Sequence, residues 1–277
     1  MKKMSLLIIA GMLAISICAC GQTPNSNTEG KNIMPDDIAT ITDSTGETIP
    51  DPDALAKPDF GSIASSSVFN VNWKTSVDGD VMSGTASLLK TDLSDEPILI
   101  TAYHIFDSET VDLTPDTLKD YIKGGELIDI MSPEDSASII GNVKETITIP
   151  DAEGVDTAQS PIKDLAAFKL DNSSALKAFP LAKEPCVEGE VVYLLASLWD
   201  TAKAYENNIY PCVVLSDNGE QMTYLLSDQF GTTGASGAPI VNSKGELVGI
   251  HIGSNNSYRF AHSALGIYEQ LKSALGK

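Results

Sequence analysis

Short apolar runs separated by turn residues make up most of this chain beyond about residue 60. Runs of this length, rich in Val, Ile, Leu, Tyr and Thr and bounded by Gly, Pro, Asn, Asp and Ser, predict β-strands. They fall into two sets, at about 60–172 and about 180–264, joined by the less regular stretch DNSSALKAFPLAKEP. The pattern therefore predicts an all-β fold of two antiparallel β-barrels. The first set is SVFNVNW, GTASLLK, PILITAY, TITIP and LAAFKL, and the second is EVVYLLASL, IYPCVVLS, MTYLLSD, APIVN, ELVGIHIG and YRFAHSA.

Two helices are expected among these strands. Thr114 is a residue type that caps helix N-termini, Pro115 suits a first helical turn, and Gly124 with Gly125 would end that helix. The second helix is predicted over about 265–275, because apolar residues there recur at spacings of three and four and form one stripe against the second barrel. The stripe consists of Leu265, Tyr268, Leu271 and Leu275.

The N-terminus predicts export. Within residues 1–19, Lys2 and Lys3 precede an apolar run, residues 6–17, that is too short to span a bilayer comfortably and is typical of a signal peptide. The segment ICAC, which ends at Cys20, resembles the lipobox of bacterial lipoproteins. That resemblance implies that Cys20 is lipidated and becomes the first residue of an extracytoplasmic, membrane-anchored protein. An ordinary signal peptide with incidental cysteines is the alternative.

Residues 20–58 differ in composition from the rest of the chain. They are rich in Pro, Asp, Thr and Gly and have no sustained apolar period. We interpret them as a disordered, solvated tether that lifts the folded domain, residues 59–277, off the membrane.

The charge balance excludes some partners. Lys and Arg total 18 against 38 Asp and Glu, for a net charge of −20, and Arg259 is the only arginine. Removing residues 1–19 also removes two lysines and makes the mature chain still more acidic. Nucleic acids and anionic lipid surfaces are bound through basic patches, so neither is an expected partner, and attachment to the membrane would depend on acyl chains.

A serine stands between two glycines in the segment GTTGASGAPI, residues 231–240. A serine hydroxyl becomes a nucleophile at neutral pH only when a base accepts its proton and another group orients that base. Of the three histidines, only His104 precedes Ser236, at the end of the run ILITAYHIF. Asp164 opens the apolar strand DLAAFKL between them, which gives the order histidine, aspartate, serine. Three other aspartates compete for the middle position: Asp151, Asp156 and Asp171.

Three segments resemble the chymotrypsin-like serine peptidases, and the resemblance covers about residues 60–277. TAYHI is similar to the family's Thr-Ala-Ala-His segment, DLAAFKL to its Asp-Ile-Ala-Leu strand, and GASGAP to its Gly-Asp-Ser-Gly-Gly-Pro segment. The resemblance implies that His104 is the general base, that Asp164 orients it and that Ser236 is the nucleophile. It implies an oxyanion hole formed by the N–H groups of Gly234 and Ser236. The implied function is a serine endopeptidase that hydrolyses polypeptides through an acyl-enzyme in the cleft between two barrels.

Three residues depart from the family pattern. Ala235 stands where digestive members have an acidic residue that pairs with a new N-terminus after zymogen cleavage, so activation by that ion pair is not expected. Ala238 replaces the second glycine of the family segment and leaves Ser236 untouched. Tyr103 stands immediately before His104, where a small residue is usual, and therefore bears on the packing around the base.

Two other functions compete with the peptidase. An α/β-hydrolase esterase would need its serine in a G-x-S-x-G turn between strand and helix, with a histidine late in the chain. Here the fifth position is Ala238, and PIVN continues as a strand. A catalytically inactive surface binding module on a peptidase scaffold is the stronger alternative, because a fold does not determine a function.

The expected walls of the specificity pocket are FGTTG, GIHIGS and SYRFAHS. GIHIGS resembles the GIH strand of glutamyl endopeptidases, in which a histidine at the place of His251 contacts an acidic substrate side chain beside a hydroxyl that Thr232 could supply. Arg259 lies in the third wall, and a guanidinium binds a carboxylate through two parallel hydrogen bonds. We expect cleavage after Glu or Asp, weakening above an ordinary His251 pKa of about 6.5. The alternative is a packed histidine and a surface arginine.

Cys186 and Cys212 are the cysteines that remain once Cys18 leaves with the signal and Cys20 is lipidated. The predicted hairpin sets Cys212 opposite about residue 193, roughly 23 Å from Cys186, which is too far for a disulfide. We predict two separate thiols. The histidines are few and scattered and no paired-cysteine spacing is present, so the sequence predicts no metal and no cofactor.

Overall fold

The computed structural model has two antiparallel β-barrels and a C-terminal helix, which confirms the predicted fold class. The chain divides into two units, Met1–Asp36 and Asp37–Lys277, and the structure describes residues of the second unit only. The predicted signal peptide and Cys20 therefore lie outside the described residues. The structure describes residues 40–42, 48–52, 66–77, 84–106, 113–130, 139–154, 161–173, 176–198, 208–226, 231–255 and 258–277.

A small antiparallel hairpin precedes the barrels. It pairs β1 (Thr40–Thr42) with β2 (Thr48–Pro50), and Ile41 lies opposite Ile49. The apolar pattern does not predict these strands, because each has three residues and a single Ile. The hairpin falls within the segment interpreted as a tether.

The first barrel is a closed ring of six strands. Around the ring their order is β3-β6-β7-β8-β5-β4, every neighbouring pair is antiparallel, and pairing of β4 with β3 closes it. Closure leaves these strands without open edges. The strands are β3 (Val68–Thr75), β4 (Thr85–Lys90), β5 (Ile98–Thr101), β6 (Ile122–Asp129), β7 (Ile139–Ile147) and β8 (Ala166–Asp171).

The segment that crosses between the barrels is tied to both of them. Its short strand β9 (Phe179–Pro180) pairs parallel to β4, and Phe179 is fully buried. Leu181 then forms a bridge with Leu247 of the second barrel, and the N–H of Ala182 donates to the Leu247 carbonyl at 2.9 Å. The predicted linker is thus part of the packing between the two halves.

The second barrel is also a closed ring of six antiparallel strands, in the order β10-β11-β12-β15-β14-β13. Residues alternate along β12. Met222, Tyr224 and Leu226 face the core and are buried, while the residues between them are partly exposed. The strands are β10 (Val191–Leu195), β11 (Ile209–Asp217), β12 (Gln221–Leu226), β13 (Pro239–Asn242), β14 (Leu247–Ser254) and β15 (Arg259–Ser263).

The first helix, α1 (Pro115–Tyr121), begins as predicted and ends earlier than predicted. The Thr114 hydroxyl accepts from the N–H of Thr117 at 3.3 Å, and the Thr117 hydroxyl accepts from the N–H of Thr114 at 2.8 Å. The prediction that Gly124 and Gly125 end the helix is wrong. Both lie inside β6, opposite Lys74 and Trp73, because pairing with β3 and β7 outweighs their local tendency to form turns.

The second helix, α2 (Ala264–Ala274), closes the chain close to the predicted bounds. Its buried residues are Ala264, Ile267 and Leu271, while Tyr268 and Leu275 pack at the edge of the core. The apolar stripe is therefore centred on Ile267 and Leu271, and Leu265 is only partly buried. Among the described residues, no helix is long and apolar enough to cross a membrane.

Cys186 and Cys212 are both buried and both free, as the hairpin argument predicts. Cys212 pairs with Val192 across β10 and β11, one position from the predicted register. Burial raises the pKa of both thiols, with the carboxylates of Glu190 and Asp217 adding to the effect at Cys186. These side chains therefore act as small apolar core residues.

Candidate active site

Strand pairing brings His104 and Asp164 to the same end of the first barrel. In the antiparallel pair β5–β8, Thr101 lies opposite Ala166. The chain leaves β5 just as it enters β8 alongside, so the residues after Thr101 and those before Ala166 meet. His104 lies beyond the strand rather than at its end, on a single 3-10 turn, Tyr103–Phe106.

An aromatic cluster holds this turn in place. Phe106 packs edge-on against Trp73 of β3, with ring centroids 4.9 Å apart, and against Phe168 of β8 at 5.7 Å. Trp73 and Phe168 are 4.7 Å apart, and both phenylalanines are almost fully buried. Each such pair contributes about 0.5–1.5 kcal/mol beyond the burial of area. One cluster therefore anchors the turn of His104 to the strand that follows Asp164.

A continuous chain of hydrogen bonds links Asp164, His104 and Ser236. Asp164 Oδ2 lies 2.6 Å from His104 Nδ1, and Asp164 Oδ1 accepts the backbone N–H of His104 at 2.8 Å. On the other side of the ring, His104 Nε2 lies 2.7 Å from Ser236 Oγ. The Asp164 side chain is fully buried, whereas that of His104 is 23% exposed. The aspartate thus contacts the imidazole away from water, and the serine lies toward the solvent.

The hydrogen-bond partners determine where the protons lie. An ionised carboxylate only accepts, so Nδ1 of a neutral His104 bears the ring hydrogen and Nε2 presents a lone pair. That lone pair faces the Ser236 hydroxyl, which donates to it. The arrangement has the geometry required for removal of the serine proton by the imidazole.

The competing aspartates lie elsewhere. Asp151 is exposed at a turn, with a backbone φ of 58°, and Asp171 is exposed at the far end of β8. Asp156 lies outside the described residues. Of the described candidates, only Asp164 contacts His104.

Ser236 lies on two consecutive tight turns, residues 232–238, which we call the serine turn. The N–H of Ala235 donates to the Thr232 carbonyl at 2.9 Å, and the N–H of Ala238 donates to the Ala235 carbonyl at 2.7 Å. Gly234 and Gly237 occupy the third position of these turns with φ of 91° and 79°, in the left-handed region that favours glycine.

Gly237 is required by space as well as by conformation. A Cβ atom there would collide with Thr101 Oγ1 and with the Thr85 carbonyl oxygen, both on the first barrel. The second glycine of GASG is therefore the point at which the serine turn packs directly against the backbone of β4.

Hydrogen bonds join the serine turn to both barrels. The Thr85 hydroxyl donates to the Gly234 carbonyl at 2.9 Å, and the Thr85 N–H donates to the Ser236 carbonyl at 2.8 Å. From the second barrel, the His251 carbonyl accepts the N–H of Gly237 at 2.8 Å. The turn is thus held at the seam between the two barrels, directly beside His104.

The three predicted specificity residues lie on neighbouring elements of the second barrel. The Thr232 hydroxyl donates to Ser254 Oγ at 3.3 Å, and Ser254 lies opposite Arg259 in the β14–β15 pair. Arg259 also lies opposite Tyr224 on β12, and Tyr224 Oη is 2.7 Å from His251 Nδ1. Residues directly opposite in an antiparallel pair share a face, so these side chains form one polar group.

His251 does not have the ordinary pKa assumed in the sequence analysis. Its side chain is 1% exposed. Burial, followed by smaller electrostatic contributions from His104 and Arg259, lowers the pKa of His251 to about 3. The expectation that this residue titrates near neutral pH is wrong, because the imidazole is neutral throughout the physiological range.

The family departures are accommodated without disturbing the triad geometry. Ala235 and Ala238 are fully buried in the core of the second barrel, and the Tyr103 ring is buried in the core that includes the first barrel. Sequence reasoning missed Thr85 and Tyr224 as parts of the site. Both stand in ordinary strand patterns, GTASLLK and MTYLLSD, and only the packing partners of these strands distinguish them.

A family model described as a trypsin-like peptidase domain matches residues 84–250. This range covers more than half of the chain and includes His104, Asp164 and Ser236. No curated protein matches the sequence of the chain.

Solved structures share the fold at low sequence identity. A Glu endopeptidase is 14% identical, with a TM-score of 0.56, and the match covers 80% of this chain and 96% of that one. A serine endoprotease from Yersinia pestis is 16% identical, with a TM-score of 0.52 and coverage of 80% and 69%. An inactive mutant protein from Mycobacterium tuberculosis H37Rv is 15% identical, with a TM-score of 0.50 and coverage of 83% and 98%. These likenesses establish the two-barrel architecture.

Proposed function

Because the chain belongs to the family of trypsin-like peptidases, we propose that it is a serine endopeptidase that forms an acyl-enzyme on Ser236. The observation that carries this proposal is the unbroken hydrogen-bond chain from Asp164 through His104 to the Ser236 hydroxyl. A histidine on a short turn or a serine in a glycine-rich turn is ordinary in isolation. Their alignment with a buried carboxylate is the arrangement that nucleophilic catalysis needs.

Acylation begins with attack of Ser236 Oγ on the carbonyl carbon of the scissile peptide bond. The serine proton moves to His104 Nε2, and Asp164 stabilises the resulting imidazolium while holding its orientation. The negative charge that develops on the substrate oxygen is stabilised by the N–H groups of Gly234 and Ser236. The C–N bond then breaks, and His104 returns the proton to the leaving amine.

Deacylation repeats these steps with water. His104 accepts a proton from the water molecule as its oxygen attacks the acyl carbon, and then donates that proton to Ser236 Oγ when the ester bond breaks. The carboxylic acid product leaves, and the starting hydrogen bonds form again.

A serine-reactive probe tests this function against the inactive binding module. A fluorophosphonate should label the wild-type chain covalently, because the activated Ser236 hydroxyl attacks phosphorus and displaces fluoride. The Ser236→Ala variant should remain unlabelled, and mass spectrometry of proteolytic fragments should place the adduct on Ser236. A folded wild-type protein that resists labelling would support the binding module instead.

The polar group of the second barrel supports specificity for acidic residues. Arg259 is the single arginine of the chain and carries a permanent positive charge. It lies opposite Tyr224 of β12 and Ser254 of β14, and its charge contributes to the lowered pKa of His251. In an otherwise strongly acidic protein, this charge favours a carboxylate at the position that precedes the cleaved bond. We propose that cleavage follows Glu or Asp.

Tyr224 gives His251 a defined role in that recognition. Burial raises the pKa of Tyr224 well above its usual value, so its hydroxyl keeps its hydrogen. Within the described part of the chain, His251 Nδ1 is the partner found for this hydroxyl, which therefore donates to Nδ1. The ring hydrogen of the neutral imidazole then lies on Nε2. In the proposed recognition, this neutral Nε2–H donates to the substrate carboxylate, and the Thr232 hydroxyl is a further donor.

We also propose that Cys20 anchors the protein to the outer face of a membrane. The supporting features are the lysines and apolar run of residues 1–19 and the ICAC motif, all outside the described residues. The strong negative charge makes basic anchoring implausible, whereas acyl chains need no charge. Wild-type protein expressed in a bacterium should partition into the detergent phase, and Cys20→Ser should not. Recovery of an unacylated, water-soluble wild-type protein would contradict the anchor.

A further inference from the structure

We propose that Thr85, on the first barrel, is a positioning residue for the oxyanion hole. This inference rests on the proposed function and concerns how the serine turn is kept in its active shape. Thr85 is fully buried in β4 and makes two hydrogen bonds to the turn, one through its hydroxyl and one through its backbone N–H. Threonine combines a hydroxyl donor with the branched Cβ that favours β-strands.

The hydrogen bonds hold the peptide groups on both sides of the Ala235–Ser236 peptide. In the Gly234–Ala235 peptide, the carbonyl accepts from the Thr85 hydroxyl and the N–H donates to Thr232. In the Ser236–Gly237 peptide, the carbonyl accepts from the Thr85 N–H and the N–H donates to His251. Each flanking peptide is thus held at both ends. The Ala235–Ser236 peptide between them carries one of the two proposed oxyanion donors.

The consequence is a fixed direction for the Ser236 N–H. The bonds to Thr85 hold the peptides at both ends of the Ala235–Ser236 peptide, whose own carbonyl accepts from the Ala238 N–H. Loss of the Thr85 hydroxyl would therefore loosen one end of the peptide that carries the donor. Preorganised donors stabilise the developing charge without reorganisation during the reaction. Thr85 of the first barrel donates to the carbonyl groups of both flanking peptides.

Thr85 is itself held firmly. Its carbonyl accepts from the Thr101 hydroxyl at 2.8 Å, and its backbone pairs with Asn70 of β3. Gly84 leaves room for the contact, because a Cβ there would lie 3.0 Å from the Ser236 carbonyl oxygen. The restraint on the serine turn is therefore transmitted from the closed wall of the first barrel.

Ala235 gives the serine turn no polar side-chain anchor. It is a fully buried methyl side chain in the core of the second barrel and has no group with which to bind a charged N-terminus. The serine turn thus lacks the carboxylate that holds it in zymogen-derived members of the family. In this chain the Thr85 hydroxyl ties the turn to the first barrel by a neutral hydrogen bond.

Thr85→Val, Thr85→Ser and Ser87→Ala test this role. Thr85→Val removes the hydroxyl while keeping the side-chain shape, Thr85→Ser keeps the donor, and Ser87→Ala removes a buried hydroxyl two residues along the same strand. We expect Thr85→Val to lower kcat about ten- to hundredfold with KM changed by less than about threefold, since the loss of an entire oxyanion donor costs about 10²–10³. Thr85→Ser should restore most of kcat, and Ser87→Ala should keep it.

A peptide boronic acid provides the second measurement, because its tetrahedral adduct with serine places an oxygen in the oxyanion hole. Its affinity should fall in parallel with kcat in Thr85→Val. If that variant does not fold, Thr85→Ala removes the same hydroxyl without adding a buried methyl group. Wild-type kcat and boronate affinity in a folded Thr85→Val or Thr85→Ala protein would overturn the inference, as would failure of Thr85→Ser to restore kcat. Absence of turnover in the wild type itself would instead refute the proposed function on which the inference rests.

Discussion

Replacing Ser236 or His104 with alanine should lower kcat about 10⁶-fold. Ser236→Ala removes the attacking oxygen, and His104→Ala removes the base that accepts its proton, so either change leaves only binding and the oxyanion donors. The double variant should lose little more than either single variant, because the two residues act as one unit. Initial rates on a fluorogenic peptide, with the concentration of folded protein measured independently, provide the test.

Folding should survive both substitutions. Ser236 and His104 are partly exposed, and neither side chain belongs to a buried apolar cluster. Near-ultraviolet circular dichroism should therefore match the wild type. Ser243→Ala, in the exposed turn between β13 and β14, is the matched control and should retain full activity. Near-normal turnover by His104→Ala would contradict the assignment of the base.

Arg259→Ala should reduce the preference for Glu over Gln before the cleaved bond by about 10- to 100-fold. Glu and Gln have the same shape, so the ratio of their kcat/KM values isolates recognition of charge. A charge-assisted hydrogen bond contributes about 1.5–3 kcal/mol, and each 1.4 kcal/mol corresponds to about a factor of ten. Lys244→Ala removes one positive charge from an exposed turn of the same barrel and should leave the ratio unchanged.

The wild-type preference for Glu should also stay constant between about pH 5 and pH 8. The substrate carboxylate is ionised above about pH 5, and the pKa of His251, lowered to about 3, keeps the imidazole neutral across this range. Glu and Gln substrates use the same triad, so any effect of pH on the triad cancels in the ratio of their kcat/KM values. A ratio that falls near pH 6.5 would show that His251 recognises acid as a cation. A cleavage profile dominated by Lys, Arg or large apolar residues would exclude acidic specificity altogether.

The strands were predictable because they alternate or run apolar between turn residues, and β12 is a clear example. The prediction for the two glycines after α1 is wrong, since a single sequence does not reveal that β3 and β7 pair on both sides of β6. The β1–β2 hairpin is not predictable from the apolar pattern, because three-residue strands are too short to show a period. Local patterns therefore predicted the fold class, and pairing partners decided the exceptions.

The order of His104, Asp164 and Ser236 was readable because each lies in a recognisable segment. Their meeting depends on the β5–β8 register and on the docking of two barrels, neither of which a spacing reveals. Thr85 and Tyr224 were unpredictable for the same reason, since each acts through a contact across strands or barrels. The pKa of His251 depends on burial, which no property of GIHIGS alone determines.

The division of the proposed triad between the barrels has a consequence during synthesis and folding of the chain. In a growing chain, His104 and Asp164 are synthesised before Ser236. The serine turn reaches its described position only when its hydrogen bonds to Thr85 of β4 have formed. On the proposed function, peptidase activity depends on the finished tertiary structure, and we expect folding intermediates to lack it.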